Sequence, residues 1–268
     1  EKNGEWYYYD ANGHLVMNQE MDINGRHYKF TENGAIYRGW YTDGTDTYYY
    51  ETNGSRSEDT GKQIDGYWYY FQKDGKILSS GWREKAGNYY YYDENGYLVL
   101  NRELDINGKH YKFTGSGAVY TGWSVGEDGA YYYDQQGSCL TDMGSQIDGY
   151  WYYFQKDGKM LYSDWREKDT GYYYYDDRGH LILNAGIQFN GYWYYLDPNT
   201  GEMLTGWREI KGQWYYLNPE TLGDSGWMQD SSTKQWNYNV KAVMPKGALY
   251  VNTQTPDGYF VDENGVRR

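Results

Sequence analysis

The chain of 268 residues has one cysteine, four prolines and six phenylalanines. The single Cys139 excludes an intrachain disulfide, so no covalent staple closes the fold. The prolines all come late, at Pro198, Pro219, Pro245 and Pro256. Aliphatic residues are sparse, and no stretch approaches the ~18 apolar residues that a spanning helix requires, so no membrane insertion is expected. Cations are scarce too: 25 Lys and Arg stand against 38 Asp and Glu, a net charge of −13. Phosphate backbones are held by clustered Lys and Arg, so this balance excludes nucleic acid as a partner. HExxH, CxxC and phosphate-loop glycine motifs are all missing, and no cofactor or metal is implied.

What the chain does contain is tyrosine, tryptophan and glycine: 38, 12 and 35 residues. They are not scattered. A short aromatic run begins at Trp6, His27, Thr47, Trp68, Tyr89, His110, Ala130, Trp151, Tyr172, Trp193, Trp214 and Trp236, with steps of 20 to 22 residues. A fixed period of this size marks an array of small units that share faces with their neighbours. A longer period lies on top. The segment Asp65–Lys76, DGYWYYFQKDGK, returns at Asp148–Lys159, a shift of 83 residues. Four units make one cassette, and the chain holds about two cassettes followed by less regular units.

Each unit reads as β-structure. In residues 87–101 four tyrosines of high β-propensity are followed by Asp93-Glu-Asn-Gly96 and a short aliphatic stretch. The Asp-x-x-Gly turn predicts a hairpin with the aromatic run on one side and the aliphatic stretch on the other. Two residues after the turn glycine comes a mostly apolar slot: Leu15, Ile36, Ile77, Leu98, Val119, Cys139, Met160, Leu181 and Met203, with Arg56 as an exception. Cys139 is therefore a buried aliphatic substitute rather than a reactive thiol. His27 and His110 are equivalent by the 83-residue shift, which marks them as structural. Asp10, Asp93, Asp134 and Asp176 sit at turns, where a carboxylate serves turn chemistry. The expected fold is all-β: a solenoid of about twelve stacked β-hairpins of ~21 residues. Repeats are expected over 1–240, with a C-terminal capping repeat over 241–268.

The tryptophans fall into two slots. Trp6, Trp68, Trp151, Trp193, Trp214 and Trp236 lead an aromatic run; Trp40, Trp82, Trp123, Trp165, Trp207 and Trp227 follow Gly, or Asp in one case. The stretch Gly206–Asn218, GWREIKGQWYYLN, resembles the Gly-Trp…Gly-x-Trp-Tyr-Tyr-Leu pattern of the choline-binding, or cell-wall-binding, repeats of Gram-positive surface proteins. The likeness extends over essentially the whole chain. One departure is plain: before Trp207 only alternate units carry the Gly-Trp slot, and the units between carry Asp-Ile-Asn-Gly at 22–25 and 105–108. That alternation is similar to glucan-binding repeats of streptococcal glucosyltransferases and glycan-binding repeats of clostridial toxins.

The resemblance implies a non-catalytic attachment module, not an enzyme, that binds choline on teichoic acid through aromatics between repeats. A carbohydrate, either glucan or host glycan, is the alternative ligand, and a host glycoprotein, with the chain acting as an adhesin, is the third. It implies a secreted protein at the bacterial cell surface, of which this chain, starting inside the pattern, is one segment. Carried onto this chain, the pattern nominates Trp207, Trp214 and Trp227 as the principal site. Trp82 with Tyr89 and Trp165 with Tyr172 follow, then Trp40 and Trp123.

Overall fold

The computed structural model describes residues 1–2, 4–169, 171–220 and 244–268 in full, and strands Gly226–Gln229 and Trp236–Asn239 as backbone. Among the described residues there is no helix. Twenty-four strands pair into twelve two-stranded antiparallel sheets, each joining consecutive strands. The fold is the all-β hairpin array that the period requires. It divides into two compact units: Glu1–Ser124 with Tyr132–Cys139, and Val125–Tyr131 with Leu140–Arg268. The same construction holds inside each. The expected repeat–cap boundary near residue 240 lies outside the described residues; a last short hairpin pairs Thr253–Gln254 with Phe260–Val261.

The hairpins differ from the sequence expectation in one respect. The aromatic run pairs backwards, with the strand that precedes it. Gly81–Lys85 pairs with Asn88–Tyr92, and Thr60–Ile64 with Tyr67–Phe71. The connection is a two-residue turn such as Asp65-Gly66, with φ of 50° and 88°. Positive φ at both positions is the mirror-image turn that matches strand twist, which is why Asn-Gly and Asp-Gly recur there. The Asp-x-x-Gly segment is instead a tight loop. In Asp93–Tyr97 the Asp93 carboxylate accepts from the Asn95 and Tyr97 amides at 3.0 and 2.9 Å. Asp10, Asp134 and Asp176 make the same pair of bonds, so the carboxylates are consumed by turn geometry. After the loop the chain bridges to the end of its own aromatic run, as in Phe71 to Ile77, and in several units also to the run one unit back, as in Tyr28 to Ser55 and Tyr90 to Ala118.

The slot residue itself carries the stacking. The amide of the slot residue donates to the carbonyl that starts the aromatic run one unit back. Ile77 donates to Thr47 at 2.9 Å and Leu98 to Trp68 at 2.8 Å; in the second unit Leu181 donates to Trp151 at 2.8 Å and Leu249 to Trp193 at 2.8 Å. The slot side chain meanwhile lies against the next turn glycine. A Cβ on Gly96 would stand 2.8 Å from Ile77 Cδ1, with φ at +77°, so only glycine lets the turns close up.

The core is one column per unit, made by the last residue of each aromatic run. Phe30, Tyr50, Phe71, Tyr92 and Phe113 are at most 4% exposed, as are Phe154, Tyr175, Leu196 and Leu217 in the second unit. Each such side chain stabilises by about 1.5–3 kcal/mol on burial. Cys139 occupies its slot at 7% exposure.

Candidate functional site

Strand alternation separates the two tryptophan slots. The leading tryptophans Trp6, Trp68, Trp151, Trp193 and Trp214 are 43–51% exposed and make no ring contact among the described residues. Of the Gly-Trp set, Trp40, Trp82, Trp123, Trp165 and Trp207 are half-buried. Each of these sits opposite a tyrosine of its own hairpin, and Trp40, Trp82, Trp165 and Trp207 also reach rings of a later one. Trp40 lies 5.0 Å from Tyr49, 4.8 Å from Tyr69 and 6.1 Å from Phe71. Trp82 lies 5.0 Å from Tyr91, 4.9 Å from Tyr111 and 6.0 Å from Phe113. Trp165 lies 5.1 Å from Tyr174, 5.2 Å from Tyr194 and 6.2 Å from Phe189. Trp123 meets Tyr132 at 5.1 Å. Several aromatic faces thus converge at the junctions of Trp40, Trp82 and Trp165. Burial keeps these tyrosines neutral: the hydroxyl of Tyr69 is pushed up to about 12, and those of Tyr111 and Tyr194 are raised.

The intervening junctions are built differently. There the chain lays its own cation on a tyrosine face. Lys29 Nζ is 3.9 Å from the Tyr41 ring centre, Arg83 is 3.7 Å from Tyr70, and Arg166 is 3.7 Å from Tyr153. Arg83 and Arg166 are related by the 83-residue shift, as are the bonds from Tyr70 to Asp59 at 2.5 Å and Tyr153 to Asp142 at 2.6 Å. His27 likewise serves structure, with its ring nitrogens 2.8 Å from Asp22 and 3.0 Å from Glu20.

The nominated residues are not brought together as the sequence ranked them. Trp207 meets Tyr216 at 5.1 Å and Tyr259 at 5.8 Å, but makes no ring contact with Trp214, which is 46% exposed. The side chain of Trp227 lies outside the described residues. The Trp207 junction is also already filled. The Arg267 guanidinium lies 3.7 Å over Tyr259 and 5.5 Å from the Trp207 ring, and the indole N–H donates to Asp257 at 2.8 Å. The Thr255 hydroxyl first, then the Trp207 N–H and the nearby Arg267, hold the Asp257 carboxyl below its usual range. Arg267 stands two residues after Gly265, in the aliphatic slot, a signal that sequence reading took up only at Arg56. Lys62 approaches the Trp40 junction in a milder way, 5.1 Å from the Tyr49 ring, while paired with Glu51.

Trp165 and Tyr172 do share a site, a cavity of about 310 Å³ lined by both with Phe189, Tyr194, Met203 and Lys246. Trp82 and Tyr89 pack on one cluster, Val99, Phe113 and Val119, without touching ring to ring. Sequence reading missed Phe189, Tyr194 and Lys246, because hairpins contribute to the cavity from one and three periods away.

Six stretches, residues 1–15, 62–77, 80–98, 146–160, 187–203 and 205–220, match the choline-binding family model of the cell wall binding repeat. A comparison with curated protein sequences gives no match. Among solved structures, choline binding protein F from Streptococcus pneumoniae is similar over 100% of this chain and 97% of its own, with 24% identity and a TM-score of 0.63. The same protein in the presence of a tetrasaccharide-pentapeptide peptidoglycan analogue aligns at 25% identity with a TM-score of 0.63, over the same shares of the two chains. The modular autolysin LytC from Streptococcus pneumoniae, in complex with a synthetic peptidoglycan ligand, aligns at 20% identity with a TM-score of 0.56. That alignment covers 80% of this chain and 49% of the autolysin, so this chain corresponds to about half of it.

Proposed function

From a chain that carries cell-wall-binding repeats of the choline-binding type, we propose a surface-attachment module that holds the choline of wall teichoic acid in aromatic cages at the Gly-Trp junctions. One observation carries the reading. At the junctions of Trp82 and Trp165, three aromatic faces converge on a half-buried indole to which, among the described residues, no carboxylate is bonded. A quaternary ammonium cannot donate a hydrogen bond and is attracted to such faces by the ring quadrupole, at roughly 0.5–2 kcal/mol per contact. The alternation supports this. At three junctions without the Gly-Trp tryptophan a lysine or arginine of the chain lies within 4 Å of a tyrosine ring centre, over Tyr41, Tyr70 and Tyr153, so those aromatic faces are satisfied internally.

Single cages of this kind bind weakly. A wall polymer that repeats its choline engages several at once, and effective concentration then raises apparent affinity by roughly 10²–10⁴. The role is attachment of a larger exported protein to the bacterial surface, without catalysis by this segment.

A second reading rests on a different surface. Trp68, Trp151 and Trp193 are exposed and stand across the hairpin from Gln63, Gln146 and Gln188. A flat ring beside an amide is a platform for a sugar face. Choline titration run beside a glycan array separates the two. Saturable choline binding without glycan hits supports the cages; clear glycan hits with no choline response would reverse the order.

A further inference from the structure

Tyr67 and Tyr97 come from successive hairpins and lie face to face. Their ring centres are 4.0 Å apart and their planes 15° from parallel. Tyrosine pairs such as Tyr37 with Tyr50 and Tyr70 with Tyr92 meet edge-on or tilted instead, at 79° and 39°. Both backbones of the stacked pair are held. Tyr67 pairs with Ile64 across its hairpin. The Tyr97 amide donates to the Asp93 carboxylate at 2.9 Å, and its carbonyl accepts from the Asp93 amide at 2.9 Å. Leu98 then donates to the Trp68 carbonyl at 2.8 Å, which ties the residue after Tyr97 to the residue after Tyr67. Tyr69 closes edge-on against the Tyr97 ring at 5.4 Å. Tyr67 is nevertheless 50% exposed, so a reagent in solution reaches the pair. The second cassette repeats this arrangement with one change. Shifted by 83 residues, Tyr150 stacks on His180 at 4.0 Å and 13°, with Tyr152 edge-on at 5.3 Å. One copy of the stack offers two phenols; the other offers a phenol and an imidazole.

We propose that Tyr67 and Tyr97 form an oxidative modification site, where a one-electron oxidant of the haem peroxidase class, with hydrogen peroxide as electron acceptor, joins the two rings as dityrosine. Each phenol gives up one electron and its hydroxyl proton. The two phenoxyl radicals bond through ring carbons ortho to the oxygens. The hydrogens on those carbons then move to the oxygens and restore both phenols. One hydrogen peroxide takes up the two electrons and two protons and leaves as two waters. Stacking selects the pair, because a partner already in contact turns a bimolecular encounter into a unimolecular step. The bond staples two successive hairpins in a chain that cannot do so with sulfur. Its one cysteine, Cys139, is buried and makes no intrachain disulfide. A ring-to-ring bond restricts the unfolded chain in the same way that a disulfide does. The site is independent of the ligand that the cages take.

The test treats the dilute 268-residue chain with limiting hydrogen peroxide and a haem peroxidase, then maps cross-linked peptides of the monomer by mass spectrometry. The first product should be a peptide pair joining Tyr67 to Tyr97, lighter by two hydrogens and fluorescent as dityrosine. Tyr67→Phe and Tyr97→Phe keep a ring in each place and should each abolish that product. His180→Tyr should add a second link, from Tyr150 to the introduced phenol. The linked chain should need roughly 1 M more urea to unfold its first compact unit. Links spread over other tyrosines, with Tyr67 to Tyr97 no more frequent than the rest, overturn the proposal. Coupling of Tyr97 to Tyr69 in place of Tyr67 overturns it as well. A His180→Tyr variant that gains no link overturns the claim that stacking selects the pair.

Discussion

Arg267→Ala should create a binding site rather than destroy one. In the wild-type chain the guanidinium lies 3.7 Å over Tyr259 and 5.5 Å from the Trp207 ring. Its backbone is held there, because the Arg267 amide donates to the Trp214 carbonyl at 2.8 Å and Val261 bridges to Arg267. A choline must displace the side chain but not the backbone. A cation over one ring and near a second, open to solvent on one side, is worth about 1–2 kcal/mol. A site that is available only when this contact breaks has its apparent affinity lowered by roughly 5- to 30-fold. Millimolar cages then become silent at ordinary ligand concentrations. Isothermal titration of choline should give one more site per chain for Arg267→Ala than for wild type. The slot amide keeps its bond to Trp214, so the terminal hairpin stays folded, as far-ultraviolet dichroism would confirm. If Arg267→Ala gives the same number of sites with unchanged affinities, the guanidinium does not hold the cage closed and the reasoning fails.

Trp82→Leu should remove one choline site, weakening binding there by roughly 5- to 30-fold, whereas Trp214→Leu should leave choline binding intact, since Trp214 touches no other ring among the described residues; titration of both variants checks the contrast. Gly96→Ala forces a positive φ on an L-residue and drives a Cβ to 2.8 Å from Ile77 Cδ1. It should cost about 1–3 kcal/mol in urea unfolding of the first compact unit. Burial pushes the Tyr69 hydroxyl up to about 12, while an unfolded tyrosine ionises near ~10. The folded state therefore keeps a proton that the unfolded chain loses. Stability is intact below about pH 10 and falls as pH rises from about 10 to about 12. An alkaline titration should show tyrosinate absorbance and loss of dichroism together, and dichroism lost well below pH ~10 would contradict this.

Much of the architecture was legible because a repeat states its own rules many times. The 20- to 22-residue period, the slot after the turn glycine and the burial of Cys139 all follow from residue pattern. The strand pairing did not. Asp93-Glu-Asn-Gly96 reads as the hairpin turn, whereas the strands join at Ala86-Gly87, where both residues take positive φ and close a twisted two-residue hairpin. The convergence of aromatic rings at the Trp40, Trp82 and Trp165 junctions was legible in the alternation of Gly-Trp slots. Their ranking was not. Trp207 and Trp214 look like the best match by motif, yet the first is covered by Arg267 and the second stands alone. Lys246 and Tyr194 reach the Trp165 cavity from later hairpins, and proximity across periods is set by stacking that no local pattern displays.

The most direct test of the central claim is a nitrogen–proton correlation spectrum of the tryptophan indoles during choline titration. The cages predict that the resonances of Trp82 and Trp165 shift and saturate, with Trp40 and Trp123 responding more weakly. Those of Trp68, Trp151, Trp193 and Trp214 should stay fixed, as should Trp207, whose N–H is bonded to Asp257. Shifts confined to the exposed leading tryptophans, or no shifts at all at saturating choline, would contradict the account.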